Sequence, residues 1–266
     1  MAGANASNPA LNPVEQRLRR IQQALGVHAD GLLGSETLSA LESRLEITPP
    51  VRAVSLEASA RSLGVIVEFE VTSRTVYERK YRRPIWPGES SGVTIGIGYD
   101  IGVTSKTQVR LDWEGWIADV DLMRLLTAQG ITGANARQLA RSLSDVAIPF
   151  DVAERVFYQS TLPRFARLTR TTWPGVQKLP ADAQGMLLSL IYNRGTSLAG
   201  ARRREMAAIR SLVPGGATRL GAIADQVQSM VRLWPDSPGL QSRRRKEAAL
   251  IRHANRVYDE DELIRL

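Results

Sequence analysis

Eight residues constrain the fold more than any other stretch: Val93, Thr94, Ile95, Gly96, Ile97, Gly98, Tyr99 and Asp100 alternate apolar side chains with small or polar ones. A strand has a period of two, so Val93, Ile95, Ile97 and Tyr99 share one face and Thr94, Gly96, Gly98 and Asp100 the other. One face is apolar and the other nearly bare. Glycine weakens a strand interior, and two at alternate positions point to the close approach of a ligand or another backbone. The pattern predicts an extended segment through Asp100, with a polymer lying along the bare face between the Thr94 hydroxyl and the Asp100 carboxylate.

Ahead of it, Val65, Ile66, Phe69, Thr72 and Val76 recur at helical spacing, which predicts a helix from about Val65 to Tyr77 packed on a core. Glu68 and Glu70 flank that apolar stripe and diverge around the helix, so they do not serve one cleft together. A carboxyl at an apolar border is partly desolvated, which suits a general acid. Spacing leaves the choice between the two open.

The run from Glu70 through Tyr77 and a loop to Thr94-Ile95-Gly96-Ile97-Gly98 resembles the active-site segment of phage lysozymes of the T-even type and of the pesticin-like muramidases. The resemblance implies Glu70 as general acid and Thr94 as the residue that helps hold the attacking water. This chain departs from the pattern in its longer loop, which carries Glu78 and Glu89, and in Tyr99-Asp100 where the T-even type has His. Asp100 shares the Thr94 face by parity and is preferred to Glu89 as the second carboxylate. Trp86, in the loop before the strand, is a candidate for stacking on a sugar ring or for anchoring the loop. Tyr77, Gly96, Gly98 and Tyr99 complete the substrate-binding set on this side.

Two later stretches resemble the same family. Residues 180–200 are similar to its buried helix, with Gly195 as the helix stop and Asn193 as a sugar-contacting amide at the corner. Gly239 to Glu247 is similar to its closing helix, with Arg243 placed to pair with or orient an active-site carboxylate. Between that strand and the later buried helix, residues 112–170 read as helical, with starts at Thr132 and at Pro149 to Asp151.

Several chemistries are excluded by residue count. The chain has no cysteine, which removes disulfides, thiol nucleophiles and thiolate metal sites. Its two histidines, His28 and His253, lack zinc-site spacing, and no Gly-x-Ser-x-Gly elbow is present. No metal and no cofactor is expected. No apolar run is long enough for a membrane span, and the N-terminus has no basic patch followed by an apolar core. Delivery to a wall outside the membrane is therefore expected through a holin-type pore or a secretion device, with action in the periplasm or cell wall.

The net charge of +8 is uneven: residues 1–46 carry four Arg against five acids, leaving +9 on the remainder. A basic surface suits anionic envelope polymers. Nucleic acid is not expected as a partner, because the basic clusters lack interleaved aromatics and a recognition motif.

From Pro13 to Leu25 and from Ser35 to Leu45, apolar residues fall at helical spacing, joined by a tight turn at Asp30-Gly31. Gln22, Asp30, Gly31, Gly34 and Thr37 make up a pattern that resembles the small helical peptidoglycan-binding domain found beside many wall hydrolases. Pro49 and Pro50 break helix and mark a short stiff linker.

The expected architecture is thus mainly α, of the α+β lysozyme-like kind: a helical bundle lobe and a small β-sheet lobe forming a cleft, preceded by a small helical wall-binding domain. The expected boundaries are 1–46 for the small domain, 47–58 for the linker and 59–266 for the catalytic domain. The resemblance implies a monomeric muramidase cleaving the β-1,4 bond of peptidoglycan. In an inverting enzyme of that kind the two carboxyls are roughly 6.5 to 9.5 Å apart, and in a retaining one roughly 5 to 5.5 Å.

Overall fold

Helices dominate the computed structural model, which describes residues 13–31, 35–45 and 55–266. About 66% of it is helix and 6% strand, the strand lying in two small sheets. The chain divides into two units, Met1–Val54 and Ser55–Leu266. Gly34 and residues 46–54, which include Pro49 and Pro50, lie outside the described residues.

In the smaller unit, helices Pro13–Leu25 and Ser35–Arg44 flank a turn in which Gly26 and Gly31 have positive φ. Gln22 is buried there. Its Nε2 donates to Asp30 Oδ1 at 2.7 Å and to Thr37 Oγ1 at 3.0 Å, while its Oε1 accepts from the Gly31 amide at 2.8 Å. Both amide hydrogens and the carbonyl are engaged inside the unit. Gln22, Asp30, Gly31 and Thr37 therefore brace the turn.

The larger unit begins earlier than the sequence suggests. Leu56 is fully buried, and Glu57–Ser59 pairs antiparallel with Leu263–Arg265, with Ala58 opposite Ile264. Residues 55–58 thus belong to this unit and not to a linker. The clasp ties its two ends together, and at its edge Ser59 caps helix Ala60–Val71 by accepting from the Ser62 amide at 3.0 Å. The same hydroxyl donates to Asp182 Oδ1, which joins the clasp to the start of helix Ala181–Arg194.

That helix is the axis of the unit. Every residue from Ala181 to Ile191 is buried, as expected of a helix apolar nearly all round. It packs against Ala60–Val71 on one side and Pro238–Arg252 on another. It ends at Gly195, whose φ of 71° is a conformation glycine adopts without a Cβ clash.

Two expectations need correction. The single helix from Val65 to Tyr77 is two helices, Ala60–Val71 and Arg74–Lys80. Thr72 turns out of the helix at φ 66°, and Ser73 opens the next by accepting from the Val76 amide at 3.3 Å. Ser and Thr compete for backbone hydrogen bonds in this way, and the competition overrides apolar spacing. The continuous strand from Val93 to Asp100 is a hairpin: Thr94–Ile95 and Tyr99–Asp100 pair antiparallel, Thr94 opposite Asp100 and Ile95 opposite Tyr99. Gly96 and Gly98 have φ of 56° and 65° and form the turn. They carry the reversal of the chain and do not form a track for a polymer.

Candidate active site

Glu70 sits in the last turn of helix Ala60–Val71, with its side chain 19% exposed. Oε1 accepts from Arg243 Nη1 at 2.7 Å. Oε2 accepts no hydrogen bond from the described residues and faces the hairpin turn: a Cβ added at Gly98 would lie 2.7 Å from it and 3.0 Å from the Tyr192 hydroxyl. The turn therefore needs glycine twice over, for positive φ and for room. Gly98→Ala is expected to cost about 1–2 kcal/mol of stability from backbone strain alone and to displace the Glu70 carboxyl. Urea unfolding reads the first effect. Activity falling further than stability reads the second.

Glu68, the other carboxylate of that helix, points elsewhere and pairs with Lys246 at 2.5 Å. Tyr192 closes the opposite side, its hydroxyl donating to the Ile97 carbonyl at 2.6 Å. Burial, and then the Glu70 charge, raise that hydroxyl's pKa well above the ordinary value.

At the open end of the hairpin, Thr94 is nearly buried and exchanges backbone hydrogen bonds with Ile85, at 2.8 and 2.9 Å. Asp100 faces it across the sheet. The Asp100 oxygens accept from the Gly92 amide at 3.0 Å and the Gly102 amide at 2.8 Å. Asp100 thus buckles the chain before the hairpin to the chain after it, a structural task the strand parity did not disclose. Glu78 is committed too: its Oε1 accepts from the Phe150 amide at 3.1 Å, at the start of a helix. Glu89 is exposed and holds φ at 49°, the left-handed region uncommon for a side chain other than glycine.

A cleft of about 450 Å³ opens beside the hairpin, lined by Gly98, Tyr99 and Asp100 on one side and by Thr161, Arg164, Phe165, Leu168 and Tyr192 on the other. Glu70 is not part of this lining. It lies against Gly98 and Tyr192, which are. The Tyr99 hydroxyl donates to the buried Asp112 at 2.7 Å, and Gln108 Nε2 donates to the other Asp112 oxygen at 2.8 Å. Burial first, and then the bond to Asp112, raise the Tyr99 pKa above its ordinary value. The helix that begins at Phe150 widens into a π turn at Phe157–Thr161 before continuing as Leu162–Thr172, so Thr161 reaches the cleft at the end of an irregular turn and Arg164 just past it.

Arg243 is the hinge between Glu70 and the buried interior. Its Nε lies 3.2 Å from Glu247 Oε1 and its Nη2 donates to Ser189 Oγ at 3.1 Å. Ser189 in turn donates to Glu247 Oε1 at 2.6 Å, and Arg244 Nη2 reaches the same oxygen at 2.9 Å. Burial opposes the charge of Arg243, but Glu70 and Glu247 outweigh it and hold its pKa above the ordinary value. For Arg244 burial wins over Glu247 and lowers the pKa to about 10.

The remaining candidates have other tasks. Tyr77 is fully buried, donates to the Ile148 carbonyl at 3.0 Å and meets the Phe150 ring edge-on. It is a core residue and not a sugar contact. Gly96 is packed under Trp113, 2.8 Å from where its Cβ would lie. Trp86 Nε1 donates to the Ser91 carbonyl at 3.1 Å and Arg137 covers its ring, so the side chain anchors its loop. Asn193 is exposed in the last turn of its helix and accepts from Arg244 at 3.3 Å.

Sequence reasoning missed Glu247, Ser189, Tyr192, Asp112 and Arg164. For Glu247 a signal existed, since it stands four residues after Arg243 and three after Arg244, the spacing at which helix side chains meet. Nothing in the local pattern distinguishes Arg164 from Arg167 and Arg170 on the same helix.

Residues 67–170 match a family described as a domain of unknown function, DUF8812. The matched region holds Glu70, the hairpin and Arg164 but neither the axial helix nor Arg243. No curated protein matches the chain.

Proposed function

We propose that the larger unit is a peptidoglycan muramidase of the lysozyme-like kind, with Glu70 as the general acid. One observation carries the reading: a carboxyl with one oxygen held by a buried arginine and the other left open beside a hairpin turn at the edge of a cleft. That division of labour suits proton donation, because Arg243 and the Gly98 turn fix the orientation of the acid while Oε2 remains available to a leaving oxygen. A further support is the resemblance of Thr94 to Gly98 to the T-even strand, in which a threonine helps hold the attacking water. Asp100, which lines the cleft with its carboxylate oriented by the Gly92 and Gly102 amides, is the second carboxylate in this reading, with Glu89 as the alternative. The substrate is reached in the periplasm or wall after delivery by a holin or secretion device, and the basic surface favours anionic envelope polymers.

The test is a zymogram on peptidoglycan, in which the wild-type chain is expected to clear the gel. A protein that binds sacculi without loss of turbidity would leave the fold as a wall-binding scaffold only.

A second reading is favoured by the commitment of Asp100 and Glu78: a site with a single working carboxylate is that of a lytic transglycosylase, which forms an anhydro product by internal attack. Mass spectrometry of the released fragments separates the two, and hydrated ends are the expected result. Anhydro ends would replace the hydrolase by the transglycosylase.

A further inference from the structure

Arg164 projects into the cleft from helix Leu162–Thr172 and stands out among the arginines of this unit. Its side chain is 21% exposed. Among the described residues none of its N–H groups has a hydrogen-bond acceptor, and its Nε is buried without one. The Asp112 carboxylate, which accepts from Tyr99 and Gln108, is 3.8 Å from its Nη2, an ion pair too long for a hydrogen bond. The guanidinium carbon lies 5.4 Å from the Tyr99 ring centroid and 5.6 Å from that of Phe165, so stacking on aromatic faces holds the group in place. A fixed, largely desolvated guanidinium with free donors at the wall of a cleft is matched to an acceptor with two oxygens in one plane.

We propose that Arg164 is a ligand-recognition residue that takes a carboxylate carried by the saccharide. The neighbouring Asp112 offsets part of the Arg164 charge, so the site suits a carboxylate better than a dianion such as a phosphate monoester. This inference rests on the reading of the cleft as a saccharide site. In peptidoglycan the carboxylate comes from the peptide stem or, where the stem is removed, from the lactyl ether of the muramic acid. Recognition at Arg164 distinguishes such a glycan from a neutral polymer of N-acetylglucosamine with the same backbone.

Calorimetry on the full chain carrying Glu70→Gln, which prevents turnover, tests this with three tetrasaccharides: peptide-bearing peptidoglycan, the same glycan stripped of peptide, and neutral chitotetraose. At least one of the carboxylate-bearing ligands is expected to bind about tenfold more tightly than chitotetraose. Adding Arg164→Gln is expected to abolish that preference, and the ligand that loses most identifies the source of the carboxylate. Arg164→Lys keeps the charge without the planar fork and is expected to retain part of the preference. Raising salt on the Glu70→Gln protein alone is expected to erode it, which reads the effect without altering Arg164. Equal weakening of all three ligands by Arg164→Gln, or a preference indifferent to salt and to Arg164, overturns the proposal and leaves Arg164 a prop for the Tyr99 and Phe165 rings. Tight binding of all three ligands without preference overturns it while sparing the saccharide reading. No binding of any of the three removes the saccharide reading itself.

Discussion

Glu70→Gln is expected to abolish clearing of peptidoglycan while changing folding stability by no more than about 1 kcal/mol. The substitution removes the transferable proton at nearly constant volume, and general acid catalysis contributes roughly 10²- to 10⁴-fold. Stability is preserved for reasons visible around the residue. A glutamine carbonyl still accepts from Arg243, which retains Glu247 and Ser189 as partners, and the side chain is partly open to water. Residual activity after Glu70→Gln, measured against the wild type on the same gel and in solution by turbidity, decides the matter. Turnover at the wild-type rate removes Glu70 as the acid.

The largest effect on stability is expected from Glu247→Ala. Glu247 is fully buried and is the shared anion of Arg243 and Arg244, which are 3% and 0% exposed. Removing one partner of a buried ion pair leaves an uncompensated charge, at a cost of about 3–5 kcal/mol. That is a large share of the roughly 5–15 kcal/mol by which a domain is stable. Arg244 is already disfavoured as a cation by burial, so losing its anion adds to an existing penalty. The Trp234 ring, 5.8 Å from its guanidinium carbon, offsets only part of this. The midpoint of urea unfolding checks the prediction. Glu247→Gln, which retains an acceptor for Ser189 and both arginines, is expected to lose less. A midpoint unchanged in Glu247→Ala would mean that the two arginines are stabilised by something other than this carboxylate.

Much of the chemistry was legible locally. The smaller unit's first helix follows from apolar spacing at Val14, Leu18, Ile21 and Leu25, its second from Leu38, Leu41 and Leu45, and the turn between them from Asp30-Gly31. The helix stop at Gly195 needs only the absence of a Cβ. The pairing of Glu70 with Arg243, 173 residues apart, is not a local property: the family resemblance singled out each side chain, and only the packing of Ala60–Val71 against Pro238–Arg252 shows their contact.

Where local pattern and tertiary demand diverged, the pattern misled for identifiable reasons. Alternation through Gly96 and Gly98 has the same signature in a straight strand and in a tight hairpin, because Ile95, Ile97 and Tyr99 are buried either way. Tyr77 looked like a sugar contact, and Trp86 like either a sugar platform or a loop anchor, because an aromatic ring in sequence carries no label for the hydroxyl or indole partner that fixes it inside.

The amino-acid sequence by itself determined the helical character, the two-part organisation, the absence of thiol chemistry, and the two carboxylates competing on one helix. Those follow from residue type and spacing along a few turns of chain. Only the tertiary structure decided that Glu70 faces the hairpin while Glu68 pairs with Lys246, that Asp100 is tied to two backbone amides, and that Arg164 enters the cleft with its donors unused. Each of these depends on which distant segment reaches a given side chain first, and hydrogen bonding and desolvation are set by that neighbour and not by the residue's own position in the chain.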